Sequence, residues 1–350
     1  MNRETLLEAI EHGEPIQRRD LSALDLKGAD LSGAIFEQVI FGGDQLRGAD
    51  FTESSLVKCS LVGCDLGGAR LRHVTFAHCA LQNASFSGSD LTCTSFAGCD
   101  LAGARFEKME LPIPVFVQSD LTRVSFAGSV LDRVQMAEMT GDRMSFAGAQ
   151  LRQVTIYQGD LRTTVLEGAT LDRCVLVESR FGDRDLSGLV APYCQLTRCD
   201  LAGVNLRGAV LHNANFTGAD LTAADLRDVN ARECVFLEAK LGGAKLAGGT
   251  FTSSIFVDAD LSAVDASAAN LYQTTLHRAR CVKARFGSAE LTYADLSYAD
   301  LSEADFTGAT LFRTRFHRVT EEGAVFDAGR AIAFGDDDKL AEAESFSPRH

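Results

Sequence analysis

The stretch Ala219-Asp220-Leu221-Thr222-Ala223, followed at once by Ala224-Asp225-Leu226, decides how this chain folds. Its phase is shared by Ala29-Asp30-Leu31-Ser32-Gly33 and by Ala299-Asp300-Leu301-Ser302-Glu303. Extended in both directions, the leucine position generates every fifth residue from Leu21 to Phe326, a series of 62 positions of which 54 are Leu or Phe. Met136 and Ile156 are near-equivalents, and Ala191, Ala231, Ala266 and Cys281 are smaller fillers. Only Gly141 and Glu321 break the apolar rule. A period of five matches neither the 3.6 of a helix nor the 2 of a strand. It requires a wall that turns a corner every five residues and sends one large side chain inward each time.

Around each such centre the residue two before is small, and the residue just before is often Asp or Asn. The next two favour Ser, Thr, Arg or Gly. The pattern, A(D/N)Lxx with an A(x)Fxx variant, resembles the pentapeptide-repeat family over residues 21–326. The resemblance implies an all-β solenoid, a right-handed quadrilateral parallel β-helix. Four pentapeptides would make one 20-residue coil, with centre and small residue inside. Adjacent coils would then lie ~4.8 Å apart, and about 15 coils would give a rod roughly 75 Å long. An uninterrupted repeat needs no second core, so length alone does not divide the chain.

The expected organisation is a capping helix and lead-in over 1–20, the β-helix over 21–326, and a C-terminal cap with an acidic tail over 327–350. Residues 2–12 read as a helix with Leu6, Leu7 and Ile10 on one face, stopped by Gly13, because a solenoid end exposes apolar surface that needs a cover. Ala331-Ile332-Ala333-Phe334 is expected to close the last coil, and the tail beyond it to fray. The repeat weakens over 111–116 (two prolines), 131–145 (loss of the centre at Gly141) and 184–195 (Arg184 in a small slot). Either the repeat has simply eroded there, or these stretches carry partner contacts, which makes Met136, Met139 and Tyr193 candidates.

The chain holds 34 Lys and Arg against 48 Asp and Glu, a net charge of −14. Duplex nucleic acid is a poor direct partner for such a surface, whereas a basic protein is a good one. No segment is long and apolar enough to span a membrane, and no signal region opens the chain, so a cytoplasmic location is expected. Ten cysteines do not make a disulfide framework. Cys59, Cys64, Cys79, Cys99, Cys174, Cys194, Cys199 and Cys234 all occupy the small inward slot and behave as buried hydrophobes.

No catalytic, cofactor or metal motif is present. His73, His78, His212, His277 and His317 fall on outward slots and are expected to be solvated. The informative residues form columns spaced by 20. Asp100, Asp120, Asp160, Asp200, Asp220 and Asp260 share one side, interrupted by Arg180, Lys240 and Arg280. A nearly uncharged side carries Val115, Val175, Val235 and Ile255. The acidic columns serve either solubility or recognition; the apolar one serves sheet propensity, a partner, or a second copy in a homodimer.

The opening segment, LLEAIEHGEPIQRRDLSALDLKGADLSGA, is similar to that of pentapeptide-repeat proteins found at type VI secretion effector and immunity loci. That resemblance implies a non-catalytic binding protein that neutralises a basic toxin enzyme such as a nuclease. Two other readings stand beside it. One is DNA mimicry directed at gyrase, as in quinolone-resistance members; the other is a structural scaffold or secretion accessory.

Overall fold

The computed structural model describes residues 1–345, and the chain forms two compact units, 1–180 and 181–350. In both, the backbone pairs with itself in parallel at a register of 20 residues. In the first unit Ile35 lies beside Ser55 and Phe36 beside Leu56; in the second Asp220 lies beside Lys240 and Asp225 beside Lys245. Four pentapeptides therefore complete each turn, and both units are all-β solenoids.

The local reason is visible in one repeat. The amide of Ala224 donates to the carbonyl of Leu221 at 3.0 Å, closing a tight turn at the corner. The residue two past each centre, here Ala223 at φ 56, sits in the left-handed region. Many non-glycine residues occupy this slot, at about 1 kcal/mol each. The ladder offsets that strain: Leu221 donates to Lys240 O at 2.7 Å and Asp220 donates to Cys199 O at 2.9 Å, so each turn is bonded to the turns on both sides.

The first unit opens with helix α1 (Arg3–Glu11). Asn2 caps it by accepting from the Thr5 amide, and Thr5 returns a bond to Asn2. Leu6 on its inner side is fully buried and α1 packs on the first strand, so the helix covers the open end of the unit. Two parallel sheets follow. The longer comprises β1 (Ile16–Gln17), β2 (Ile35–Glu37), β3 (Ser55–Val57), β4 (Thr75–Ala77), β5 (Ser95–Ala97), β7 (Val115–Val117), β9 (Gln135–Ala137) and β11 (Thr155–Tyr157). The shorter comprises β6 (Glu110–Pro112), β8 (Val130–Asp132), β10 (Gln150–Arg152) and β12 (Thr170–Asp172).

The interior is filled by stacked rings. Phe76, Phe96 and Phe116 stack at 5.0 Å steps, and Phe86, Phe106, Phe126 and Phe146 continue a second column. In the second unit Phe216, Phe236 and Phe256 stack at 5.0 and 4.7 Å. Each fully buried ring or leucine contributes on the order of 1.5–3 kcal/mol.

The irregular stretches do not bulge. Pro112 lies within β6, where its carbonyl accepts from Cys93, and Pro114 takes the buried small slot. At Gly141 the missing inward side chain is replaced from the neighbouring slot: a Cβ on Gly141 would meet Met144 Sδ at 2.8 Å. Met144 is fully buried. A large residue in a small slot compensates for a small residue at a centre.

The second unit ends in a 3-10 helix (Ala328–Ile332) and helix α2 (Asp338–Ser345). Phe334 pairs with Arg315, a register of 19 rather than 20, and stays exposed. The segment extends the ladder, and Arg330 lies over the rings of Phe316 and Phe326 at 4.4 and 5.6 Å. The expected fraying needs correction, because α2 is held down. Glu344 lies 3.3 Å from both His317 Nε2 and Arg318 Nε, and the Asp337 amide donates to His317 Nδ1. His317, expected to be solvated, is completely covered. The last part of the expected tail, 346–350, lies outside the described residues.

Candidate interaction surface

The slot before each centre explains why aspartate recurs there. Its carboxylate accepts the amide two residues on, fixing the corner. Thr122 donates to Asp120 at 2.8 Å, Ala102 to Asp100 at 3.0 Å, Thr222 to Asp220 at 3.0 Å and Ser262 to Asp260 at 3.0 Å. Asp200 does the same more loosely, from Ala202 at 3.3 Å. At several corners where Ser or Thr follows, its hydroxyl adds a second bond, as from Ser262 Oγ to Asp260 at 2.6 Å. These are side-chain turns of the kind Asp and Asn favour. The acidic columns are therefore part of the architecture before they are anything else.

Their electrostatic settings differ. Asp160 receives Arg162 Nη2 at 2.7 Å and Arg180 Nη2 at 3.0 Å, and the Arg162 bond holds its carboxyl below the usual range. Asp220 has Lys240 at 4.0 Å. Asp100 and Asp120, by contrast, sit side by side on successive turns, and among the described residues neither makes an ion pair. They line a shallow depression of about 290 Å³ together with Gln118, Glu138 and Thr140. Thr140 also borders a larger one, about 710 Å³, which opens beside Gly141 and is lined by Met139, Asp142, Gln158, Asp160 and Arg162. The lost centre at Gly141 thus appears on the outside as a dent in the acidic side of the first unit.

The other candidates scatter. Val115 and Val175 are half-buried on the longer sheet and its continuation, and Val235 is half-buried in the second unit. Ile255 is 39 % and Tyr193 42 % exposed, the latter with its ring edge against His212 at 5.3 Å. Met136 is fully buried in the core and offers nothing to a partner, as its place in the five-residue series requires.

Column reading missed two aromatic ladders in the second unit, of which only Tyr293 and Phe312 are exposed. Tyr272, Tyr293 and Phe312 meet edge to face at 5.8 and 5.9 Å, and His277, Tyr298 and His317 at 5.1 and 5.5 Å. Successive members are 21 and 19 residues apart, because the rings alternate between the two corner slots. A search allowing one residue either side of 20 would have found them.

The Cys59 and Cys99 thiols are lowered, chiefly by the side-chain hydrogen bond with Cys79. Burial pushes the Cys64 thiol up to about 11 and Cys234 up to about 12. No helix among the described residues is long and apolar enough to cross a membrane.

A family model described as "Pentapeptide repeat region" matches residues 29–106, and one described as "Pentapeptide repeats (8 copies)" matches overlapping stretches from 194 to 320; together they cover more than half the chain. No curated protein matches it. Among solved structures, the trypsin-treated QnrB1, a plasmid-mediated fluoroquinolone resistance protein, is 18% identical over 51% of this chain and 98% of its own, with a TM-score of 0.23. HetL, a pentapeptide repeat protein involved in heterocyst differentiation regulation in the cyanobacterium Nostoc, is 18% identical over 96% of this chain and 94% of its own, with a TM-score of 0.16. The five-residue series, the 20-residue register and the two family matches agree: the chain belongs to the pentapeptide-repeat proteins.

Proposed function

We propose that this protein is a non-catalytic binding module that holds a basic protein partner against the acidic side of its first unit. The observation that carries this reading is the adjacent pair Asp100 and Asp120, with Glu138 beside the same depression, in a chain of net charge −14. Like charges kept on neighbouring turns raise a negative field outside a rigid, filled scaffold, and such a field speeds encounter with a cationic surface. The finer reading is an immunity protein that neutralises a secreted type VI toxin, a nuclease being the best chemical fit because its substrate groove already attracts phosphates. The type VI setting is supported by the similarity of the opening segment alone.

Affinity capture from the native host tests this. Recovery of a basic secreted enzyme supports the reading. Recovery of gyrase subunits replaces it with topoisomerase binding.

A further inference from the structure

A second surface of the first unit adjoins the acidic side along the corner of Gly98, Gln118 and Glu138 and has a different chemistry. On β3, β4, β5, β7 and β9 the outward residues are Ser55 and Val57, Thr75 and Ala77, Ser95 and Ala97, Val115 and Val117, Gln135 and Ala137. Five successive turns carry no charge there, in a chain whose residues are 23% charged. The corner slots flanking β5 and β7 are also neutral, Cys93 and Ile113 on one edge and Gly98 and Gln118 on the other, while His73 and His78 flank β4. Charge returns only at the two ends of this patch. Glu53 and Lys58 flank β3, and Arg133 and Glu138 flank β9; all four are exposed. Among the described residues Glu53, Lys58 and Glu138 have no ion-pair partner within the chain; Arg133 pairs with its neighbour Asp132 at 2.9 Å, and Glu138 accepts from Gln118 Nε2 at 2.7 Å.

We propose that this face binds a second copy of itself, with the two solenoids antiparallel and a two-fold axis passing through β5 along the strands. An isologous contact requires a patch complementary to its own rotated image. Rotation about β5 exchanges β3 with β9 and β4 with β7 while preserving position along each strand. Glu53 then meets the second copy's Arg133, and Lys58 meets its Glu138. Ser95 faces its own image at the centre, among small side chains that let flat sheets approach at about 10 Å. A neutral centre with charge confined to the rim is the usual anatomy of an interface. On this face two strongly negative copies meet without opposing their acidic columns.

From β1 to the bridge at Val175 the face spans eight ladder steps, about 38 Å, and the strand plus its two corners is about 16 Å wide. That gives on the order of 1,200 Å² buried in total, at the lower end of specific interfaces.

The test is sedimentation of the full chain over about 1–300 μM, with thermal melts to confirm folding of every variant. Wild type is expected to shift from monomer to dimer in that range. Arg133→Glu sets like charge against Glu53 twice per dimer and is expected to weaken association roughly tenfold, as is Glu53→Arg. Combining the two restores complementarity in this packing alone, and affinity should return to within about threefold of wild type. Ser95→Arg, which places two cations at the axis, should leave only monomer. A monomer throughout the range, unaffected dimerisation in Ser95→Arg, or failure of the double variant to recover would each overturn the proposal.

Discussion

The two units carry the same charge and order it differently along their columns. Each holds 17 Lys and Arg against 24 Asp and Glu. In the second unit the column Asp220, Lys240, Asp260, Arg280, Asp300 alternates in sign at every ladder step, and the neighbouring column Asp225, Lys245, Asp265, Arg285, Asp305 does the same. Lys240, Asp260 and Arg280, like Lys245, Asp265 and Arg285, have opposite charges on the turns above and below, so the field there largely cancels at short range, although Asp220 also lies beside Asp200. In the first unit Asp30 lies beside Asp50 and Asp100 beside Asp120. Equal composition therefore gives longer alternating columns in the second unit, whereas the first combines alternation at Asp50, Arg70 and Asp90 with the like-charge pair Asp100 and Asp120. Net charge alone does not locate a recognition surface; the order of signs along the columns does.

The core is common to both units, and breaking it gives the largest effect. Leu201→Asp and Leu101→Asp each bury a carboxylate in a dry, filled interior. Either is expected to cost more than about 4 kcal/mol and abolish cooperative melting of the unit that holds it. A circular-dichroism melt with an unchanged midpoint would count against the filled-core reading. Next comes the compensated site peculiar to the first unit. Met144→Ala leaves two neighbouring inward positions empty, Gly141 being one, and should cost about 2–4 kcal/mol by chemical denaturation.

Charge order comes next in size. Lys240→Glu combined with Arg280→Glu turns the alternating column of the second unit into an unbroken acidic one. Stacked like charges are expected to destabilise it by about 1–2 kcal/mol at low salt, and most of that loss should be recovered at high salt. Insensitivity to salt would mean the alternation is ornamental.

Acid probes the turn carboxylates directly. The carboxyls of Asp160, Asp225 and Asp265 lie below their ordinary value of 3.8, held down first by side-chain bonds from Arg162, Arg227 and Ser267 respectively. A depressed folded-state value means that each contributes stability above pH 3.8, which is lost as pH falls through the lower folded value. Thermal midpoints should stay level from pH 7 to about 5 and drop steeply below about 4. A midpoint level down to pH 2 would show that the carboxylate bonds add nothing to the corners.

Nearly all of the fold was legible in the sequence, because a side chain sent inward every fifth residue leaves the backbone few choices. Even the cap on the first unit was readable from Leu6 and Gly13. The site was legible only in part. Columns at a spacing of 20 brought Asp100 and Asp120 together, but treated Lys240 and Arg280 as dilution when they sit between aspartates. The same strict spacing hid the Tyr272, Tyr293 and Phe312 ladder. His317 was misjudged because its cover, α2, comes from a segment with no repeat to fix its course. Met144 shows the commonest reason for such misses. Whether a slot is filled depends on a neighbour's reach, which spacing does not record.

The smallest structural effect should separate the two roles of the first unit's aspartates. Asn205 and Asn215 already accept the amides of Arg207 and Thr217 at 3.0 and 2.9 Å, so an amide oxygen serves the corner as well as a carboxylate does. Asp100→Asn with Asp120→Asn therefore removes two charges and keeps both turns, and should shift stability by less than about 0.5 kcal/mol. If the outward field recruits a basic partner, the same variant should slow association roughly tenfold at low salt while changing dissociation little. The matched control is Asp260→Asn in the second unit, where flanking cations already cancel the field. An equal slowing from both would erase the distinction between the units, and slowing confined to the Asp100 and Asp120 variant would place recognition on the first.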